Sequence, residues 1–221
     1  MIIMYRNTYV EIDVKKIEEN IKNIIKKNNE YKYYIGVVKG NAYGHGMKFC
    51  KWIIKNGINY LAVSTLDEAL EIRESIKDIP ILILQPVDIK YLNLCSENNI
   101  TITISSYDYY LKLKDMNINL KVHLKIDSGM NRLGFNKEED VKKVYDDLIN
   151  SDSIILEGIF THLATLGITD SRFDKQINRF VELTKNIDLS KIQIVHLYSS
   201  NAFTIHPKLS WANGVRLGII M

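Results

Sequence analysis

The sequence predicts a single-domain (β/α)8 barrel, and three observations carry that prediction. Eight short apolar segments recur along the chain. Most are followed by a stretch with helical spacing, which calls for parallel crossovers rather than hairpins. Runs such as ILIL (81–84) and TITI (101–104) are apolar or β-branched throughout, as strands covered on both faces require. An open doubly wound sheet is the alternative arrangement of the same units. At 221 residues the chain is short for a barrel but long enough to bury one large core.

The elements follow in order. TYVEID (8–13) alternates like a strand but precedes the repeating units, so it is expected to pair outside the barrel. From Val14, apolar residues fall at Ile17, Ile21, Ile24 and Ile25 with lysines and glutamates between, which predicts a helix over 14–28 with Asp13 as N-cap. That helix is placed to close the ring where an eighth helix would otherwise sit. The predicted strands are YYIGVV (33–38), YLAV (60–63), ILIL (81–84), TITI (101–104), KVHLKI (121–126), LEGIFTH (156–162), IQIVHLY (192–198) and GVRLGIIM (214–221). Helices are expected at 64–76, 138–150 and 174–186, among others. No linker or low-complexity tract divides the chain, so 1–221 reads as one domain.

Composition narrows the function. The net charge is only +3, with 29 basic residues scattered among 26 acidic ones. The lysine-rich run from Lys15 to Lys32 is interleaved with Glu18, Glu19 and apolar positions and reads as a solvated helix face, so no nucleic-acid partner is expected. Cys50 and Cys95 match no metal or redox spacing, and no metal site is expected. No apolar run is long enough to span a membrane, and a cytoplasmic location is the expectation.

In a barrel of this kind the chemistry gathers at the C-terminal strand ends. There stand Lys39 with its glycine-rich loop, KIDSGMNRLGF (125–135), THLAT (161–165), HLYSSNAF (196–203) and Arg216 with Leu217-Gly218. Lysine is costly to bury unless it is paired or used chemically, so Lys39 at the seam of VVKGNAYGHG (37–46) reads either as a solvated strand end or as a reactive amine. Ser199, Ser200, Gly218 and Ile219 fall in the loops after the seventh and eighth strands, the common phosphate site of such barrels. A phosphate subsite facing a strand-end lysine is the layout of a pyridoxal phosphate site.

VVKGNAYGHG resembles the cofactor-attachment motif of the alanine racemase family. TYVEIDVKKIEENI, KIDSGMNRLGF, EGIFTHLAT, HLYSSNAF and VRLGI are similar to the family's other motifs in the same order. The resemblance implies a pyridoxal 5'-phosphate enzyme that interconverts L- and D-alanine, with serine as the alternative substrate, and so supplies D-alanine for peptidoglycan. It implies that Lys39 forms the Schiff base and moves the α-proton. Tyr43, Ser200, Gly218 and Ile219 would hold the phosphate, and Ser199 stands where many relatives carry asparagine. Arg216 would face the pyridine nitrogen, and His162 would orient it. Arg132 would face the substrate, held by Lys125 in carbamylated form. His196 reads equally as barrel core.

The family's second base is a tyrosine of a C-terminal β-domain contributed by the partner subunit of a homodimer, and no residue here matches it. The expectation is therefore a cofactor barrel lacking that domain, with reduced or no turnover by itself. A non-catalytic, pyridoxal phosphate-carrying barrel is the alternative. The racemase module of a membrane-linked system is a further one, marked by a transmembrane segment absent from these residues.

Overall fold

The computed structural model describes residues 8–116, 118–164 and 171–221. Eight strands, each hydrogen-bonded in parallel to its sequence neighbours, close into a barrel: β1 (Tyr33–Val37), β2 (Tyr60–Val63), β3 (Ile81–Ile83), β4 (Ile100–Ile104), β5 (Leu120–Lys125), β6 (Ile154–Phe160), β7 (Ile194–Ser199) and β8 (Gly214–Leu217). Closure is made by β1 against β8, with Tyr33 opposite Gly214 and Gly36 opposite Leu217. The open doubly wound sheet is thereby excluded.

The helices are α1 (Val14–Lys27), α2 (Lys39–Tyr43), α3 (Phe49–Lys55), α4 (Leu66–Ser75), α5 (Leu92–Glu97), α6 (Tyr107–Lys114), α7 (Glu138–Leu148), α8 (Arg172–Thr184) and α9 (Ser200–Ile205). Local chemistry sets their ends. The Asp13 carboxylate accepts from the N–H groups of Lys15 and Lys16, Lys26 and Lys27 close the last turn, and Ile17 and Ile21 face inward, where α1 packs against α3. Thr65 and Glu68 form a reciprocal capping box at the start of α4.

Residues 8–13 belong to none of the barrel strands, and Asp13 caps α1 as the sequence predicts. One expectation is corrected. The eighth strand stops at Leu217 rather than running to 221, because the chain turns at Gly218, whose N–H donates to Ser200 Oγ at 2.9 Å.

The apolar side chains divide into two groups. Most lie between the barrel and its helices. A smaller set, Ile35, Val37, Tyr60, Ala62, Leu82 and Ile194, packs separately within the barrel. The interior is thus apolar on the β1–β3 side. Across from it lie Thr101, Thr103, His123, Lys125, Glu157, His196 and Arg216, all buried and all polar. Buried polar groups on this scale must be hydrogen-bonded to one another or carry function.

Candidate active site

The C-terminal strand ends surround a cavity of about 400 Å³. Lys39, Tyr43, Lys125, Arg132, His162, Ser199, Ser200, Arg216, Gly218 and Ile219 all line it, so the residues singled out in the sequence share one wall system. Asn201, within the HLYSSNAF stretch, lines it as well, as do Ser64 and Gln85, which carried no signal in the sequence. Thr165, the last residue of the THLAT stretch, lies outside the described residues.

Lys39 follows β1 directly and opens an unusual turn. Gly40, Asn41, Ala42 and Tyr43 all have φ between 53° and 61°, so the backbone makes a left-handed helical turn. Glycine and asparagine tolerate that region, but for Ala42 and Tyr43 it costs about 1–2 kcal/mol each. Strain of this kind persists only where the surroundings over-determine it. Here the Gly40 N–H donates to Glu68 Oε1 at 2.7 Å, and Ala42 is buried. Tyr43 remains 44% exposed, with its ring against Gly218. Partial burial raises the Tyr43 hydroxyl above its ordinary value, so it stays protonated and able to donate.

The loop after β5 is knotted by its own motif. Asp127 Oδ1 accepts from the N–H groups of Gly129 and Asn131 at 3.1 and 2.9 Å, and Ser128 Oγ lies 2.8 Å from Thr161 Oγ1. Gly134 has φ +132°, and a Cβ there would come within 2.5 Å of the Asp127 nitrogen. Glycine is therefore required at that position. The knot fixes the segment that presents Arg132 to the cavity.

Lys125, at the end of β5, is buried, and its Nζ lies 4.6 Å over the Phe160 ring. Desolvation, then the neighbouring Arg216 and Arg132 charges, lower its pKa to about 7. Desolvation and the same cationic surroundings hold His162 down to about 3, so it is a neutral imidazole.

Arg216 is the most constrained group. Burial lowers it to about 9, still a cation at neutral pH. Nη1 donates to His196 Nδ1 at 2.9 Å and to the His196 carbonyl at 2.7 Å. Nη2 donates to the carbonyls of Thr161 at 2.8 Å and Leu197 at 3.0 Å, with His162 Nδ1 at 3.5 Å. A guanidinium has five N–H donors. Among the described residues only Nε–H has no acceptor, and Arg216 lines the cavity. The site therefore offers a fixed cationic donor, a strand-end amine, a second lysine close to neutrality, a second arginine (Arg132) and, on the β7–β8 side, a hydroxyl-lined corner at Ser200, Gly218 and Tyr43.

A closed parallel barrel with a lysine at a strand end and such a corner has the layout of a ligand-binding barrel whose site lies at the C-terminal strand ends. Comparison with known proteins narrows the class. Residues 12–221 match the model of the alanine racemase N-terminal domain, and the chain belongs to that family. It is 37% identical over 221 residues to alanine racemase 1 of Bacillus subtilis (strain 168), covering 98% of this chain and 56% of that protein. Among solved structures it is similar to the alanine racemase of Bacillus anthracis with bound L-Ala-P (TM-score 0.86, 34% identity, 99% of this chain and 58% of that one). It is also similar to a histidine racemase from Leuconostoc mesenteroides subsp. sake (TM-score 0.83, 28% identity, 94% and 57%). The chain thus spans somewhat over half the length of the relatives it matches.

Proposed function

We propose that this chain is the pyridoxal phosphate-binding barrel of an amino-acid racemase, with alanine as substrate and serine as the alternative. The observation that carries the reading is Arg216, a buried cation with its Nη donors consumed and its Nε–H left for one acceptor. An unprotonated pyridine nitrogen is such an acceptor, and a protonated one is not. The opposite corner fits the phosphate: the Tyr43 and Ser200 hydroxyls and the backbone at Gly218 and Ile219 converge there, and a side chain at Gly218 would fill the space against Tyr43.

When bound, the cofactor supplies an electron sink that makes the α-hydrogen of an attached amino acid acidic. The remaining work falls to this chain. Lys39 would hold the cofactor through its Nζ, and the same amine is placed to move an α-proton on one face of a bound amino acid. Arg216, a cation at neutral pH, would donate its Nε–H to the ring nitrogen, which would limit charge delocalisation into the ring and disfavour transamination. His162, neutral, flanks the guanidinium and restricts its rotation. Arg132 holds the substrate carboxylate. Lys125, with a pKa of about 7, has an appreciable neutral fraction that reacts with carbon dioxide to give a carbamate and a proton. The anion would turn Lys125 from a repulsive into an attractive neighbour of Arg132. The second base, on the opposite face, comes from the partner copy of a homodimer. A histidine racemase shares the barrel, so the frame itself does not dictate the substrate side chain.

The test is α-hydrogen exchange of L- and D-alanine in heavy water, followed by NMR with and without pyridoxal phosphate, and repeated with serine. Cofactor-dependent exchange that disappears in Lys39→Ala supports the reading. Exchange that is indifferent to that substitution overturns it.

A further inference from the structure

Below the cavity, inside the barrel, a line of buried polar side chains leads away from Arg216. His196 Nε2 lies 2.9 Å from His123 Nδ1, and His123 Nε2 lies 3.2 Å from Glu157 Oε2. The Tyr60 hydroxyl donates to the same Glu157 oxygen at 2.6 Å. Glu157 Oε1 lies 3.2 Å from the Nζ of Lys121, which is half exposed. Both histidines are 0% exposed.

The direction of every bond in this line follows from one end. Arg216 can only donate, so His196 Nδ1 must accept and His196 carries its proton on Nε2. That proton points to His123 Nδ1, which must therefore accept, so His123 carries its own proton on Nε2. That proton in turn meets a carboxylate oxygen. The chain runs one way, Arg216 to His196 to His123 to Glu157, with cation and anion at its ends and neutral imidazoles between. Burial disfavours the charged form of both histidines, in keeping with this assignment.

The barrel is built around the line. In the β5–β6 pairing Val122 faces Leu156 while His123 faces Gly158, which leaves Glu157 as the extra residue of a bulge. Bulges re-aim side chains. At Gly158 a Cβ would stand 2.5 Å from His123 Cε1, so glycine makes the space for the imidazole. A second register shift, between His196 and Tyr198, lies at the other histidine, and a Cβ at Gly214 would come within 3.0 Å of His196 Cβ. Phe160 stacks on His196 at 4.7 Å and seals the line from the cavity above.

We propose that Glu157, acting through His123 and His196, is the remote counter-charge that holds Arg216 as a cation with its Nε–H turned to the cavity, so that all three are positioning residues of the site. Arg216 touches no carboxylate among the described residues, and a buried cation with no compensating anion is strongly disfavoured. The link to the cofactor rests on the function proposed above, while the relay itself does not.

The test begins with the apo-protein labelled with 15N-histidine. Both imidazoles are expected to be neutral Nε2–H tautomers from pH 5 to 9, with a nitrogen–nitrogen coupling across the His196–His123 hydrogen bond. An Nδ1–H tautomer, or titration of either ring in that range, overturns the relay without any variant having to fold. Glu157→Gln keeps an acceptor for His123 but removes the charge, and Glu157→Leu removes both. Glu157→Leu is expected to disturb the tautomers, and both variants to weaken pyridoxal phosphate binding, by about tenfold for the leucine and less for the glutamine. Glu157→Asp is expected to restore part of the loss. Unchanged affinity in both variants, with the Lys39 adduct still forming, refutes the positioning role alone. Absence of the adduct in the unmodified protein refutes the cofactor reading, while the tautomers still report on the relay.

Discussion

The carboxylate of Glu68 holds the backbone N–H of Gly40 at 2.7 Å, which ties the first turn of α4 to the strained loop that begins at Lys39. The same carboxylate accepts from the N–H groups of Ser64 at 2.8 Å and Thr65 at 3.3 Å. One side chain thus caps a helix and clamps the left-handed turn beside the proposed reactive amine.

Glu68→Ala should therefore do two things. Loss of the cap should lower stability by about 1–2 kcal/mol, measured by chemical denaturation. Release of the Gly40 N–H should also slow the attachment of pyridoxal phosphate to Lys39. Glu68→Gln, which keeps an acceptor oxygen, should lie between. Attachment at the unmodified rate in Glu68→Ala would show that the turn needs no clamp.

Gly218→Ala separates binding from folding. The added Cβ would stand 2.9 Å from Tyr43 Cε2 and 3.1 Å from its hydroxyl. The Tyr43 ring is partly exposed and can swing away, so stability should change by less than about 0.5 kcal/mol. Displacing the hydroxyl from the proposed phosphate corner should nevertheless weaken cofactor affinity, read by spectroscopic titration. A large stability loss with unchanged affinity would contradict the assignment of that corner.

The buried bases predict how apo-protein stability depends on pH. His162 has its folded pKa lowered to about 3, and His123 and His196 are lowered as well, while unfolded histidine titrates near about 6.5. Between these values the unfolded chain binds more protons, so stability falls as pH drops below about 6.5. Lys125 behaves in the same way at higher pH. Its folded value of about 7 against an unfolded value of about 10.4 makes stability rise through that window. Urea midpoints should thus climb from pH 4 towards about pH 8, and Lys125→Met should flatten the part of the rise above pH 7; at higher pH the buried thiols Cys50 and Cys95, both raised, oppose it. A flat profile between pH 7 and about pH 8 in the unmodified protein would contradict a lowered Lys125.

Much of this arrangement was legible in the sequence. The eight strands were visible because each is a short, largely apolar run followed, in most cases, by a helical pattern. The motifs placed Lys39, Arg132 and Arg216 at strand ends without any coordinates. The left-handed turn at 40–43 was not legible, because hydrophobic periodicity carries no information on the sign of φ, and Ala42 and Tyr43 are not residues that announce it. The relay inside the barrel was missed for a different reason. KVHLKI and LEGIFTH read as ordinary strands, and the bulge that turns Glu157 inward shifts the alternation that would have shown it. The available signal was energetic: a histidine and a glutamate within otherwise apolar strands demand partners.

The central claim, that Lys39 is the amine that carries the cofactor, is tested most directly by mixing the protein with pyridoxal phosphate, reducing with borohydride and mapping the peptides. A reduced adduct on Lys39, absent from Lys39→Ala, is the predicted result. An adduct on another lysine such as Lys125, or no adduct at saturating cofactor, would contradict the account.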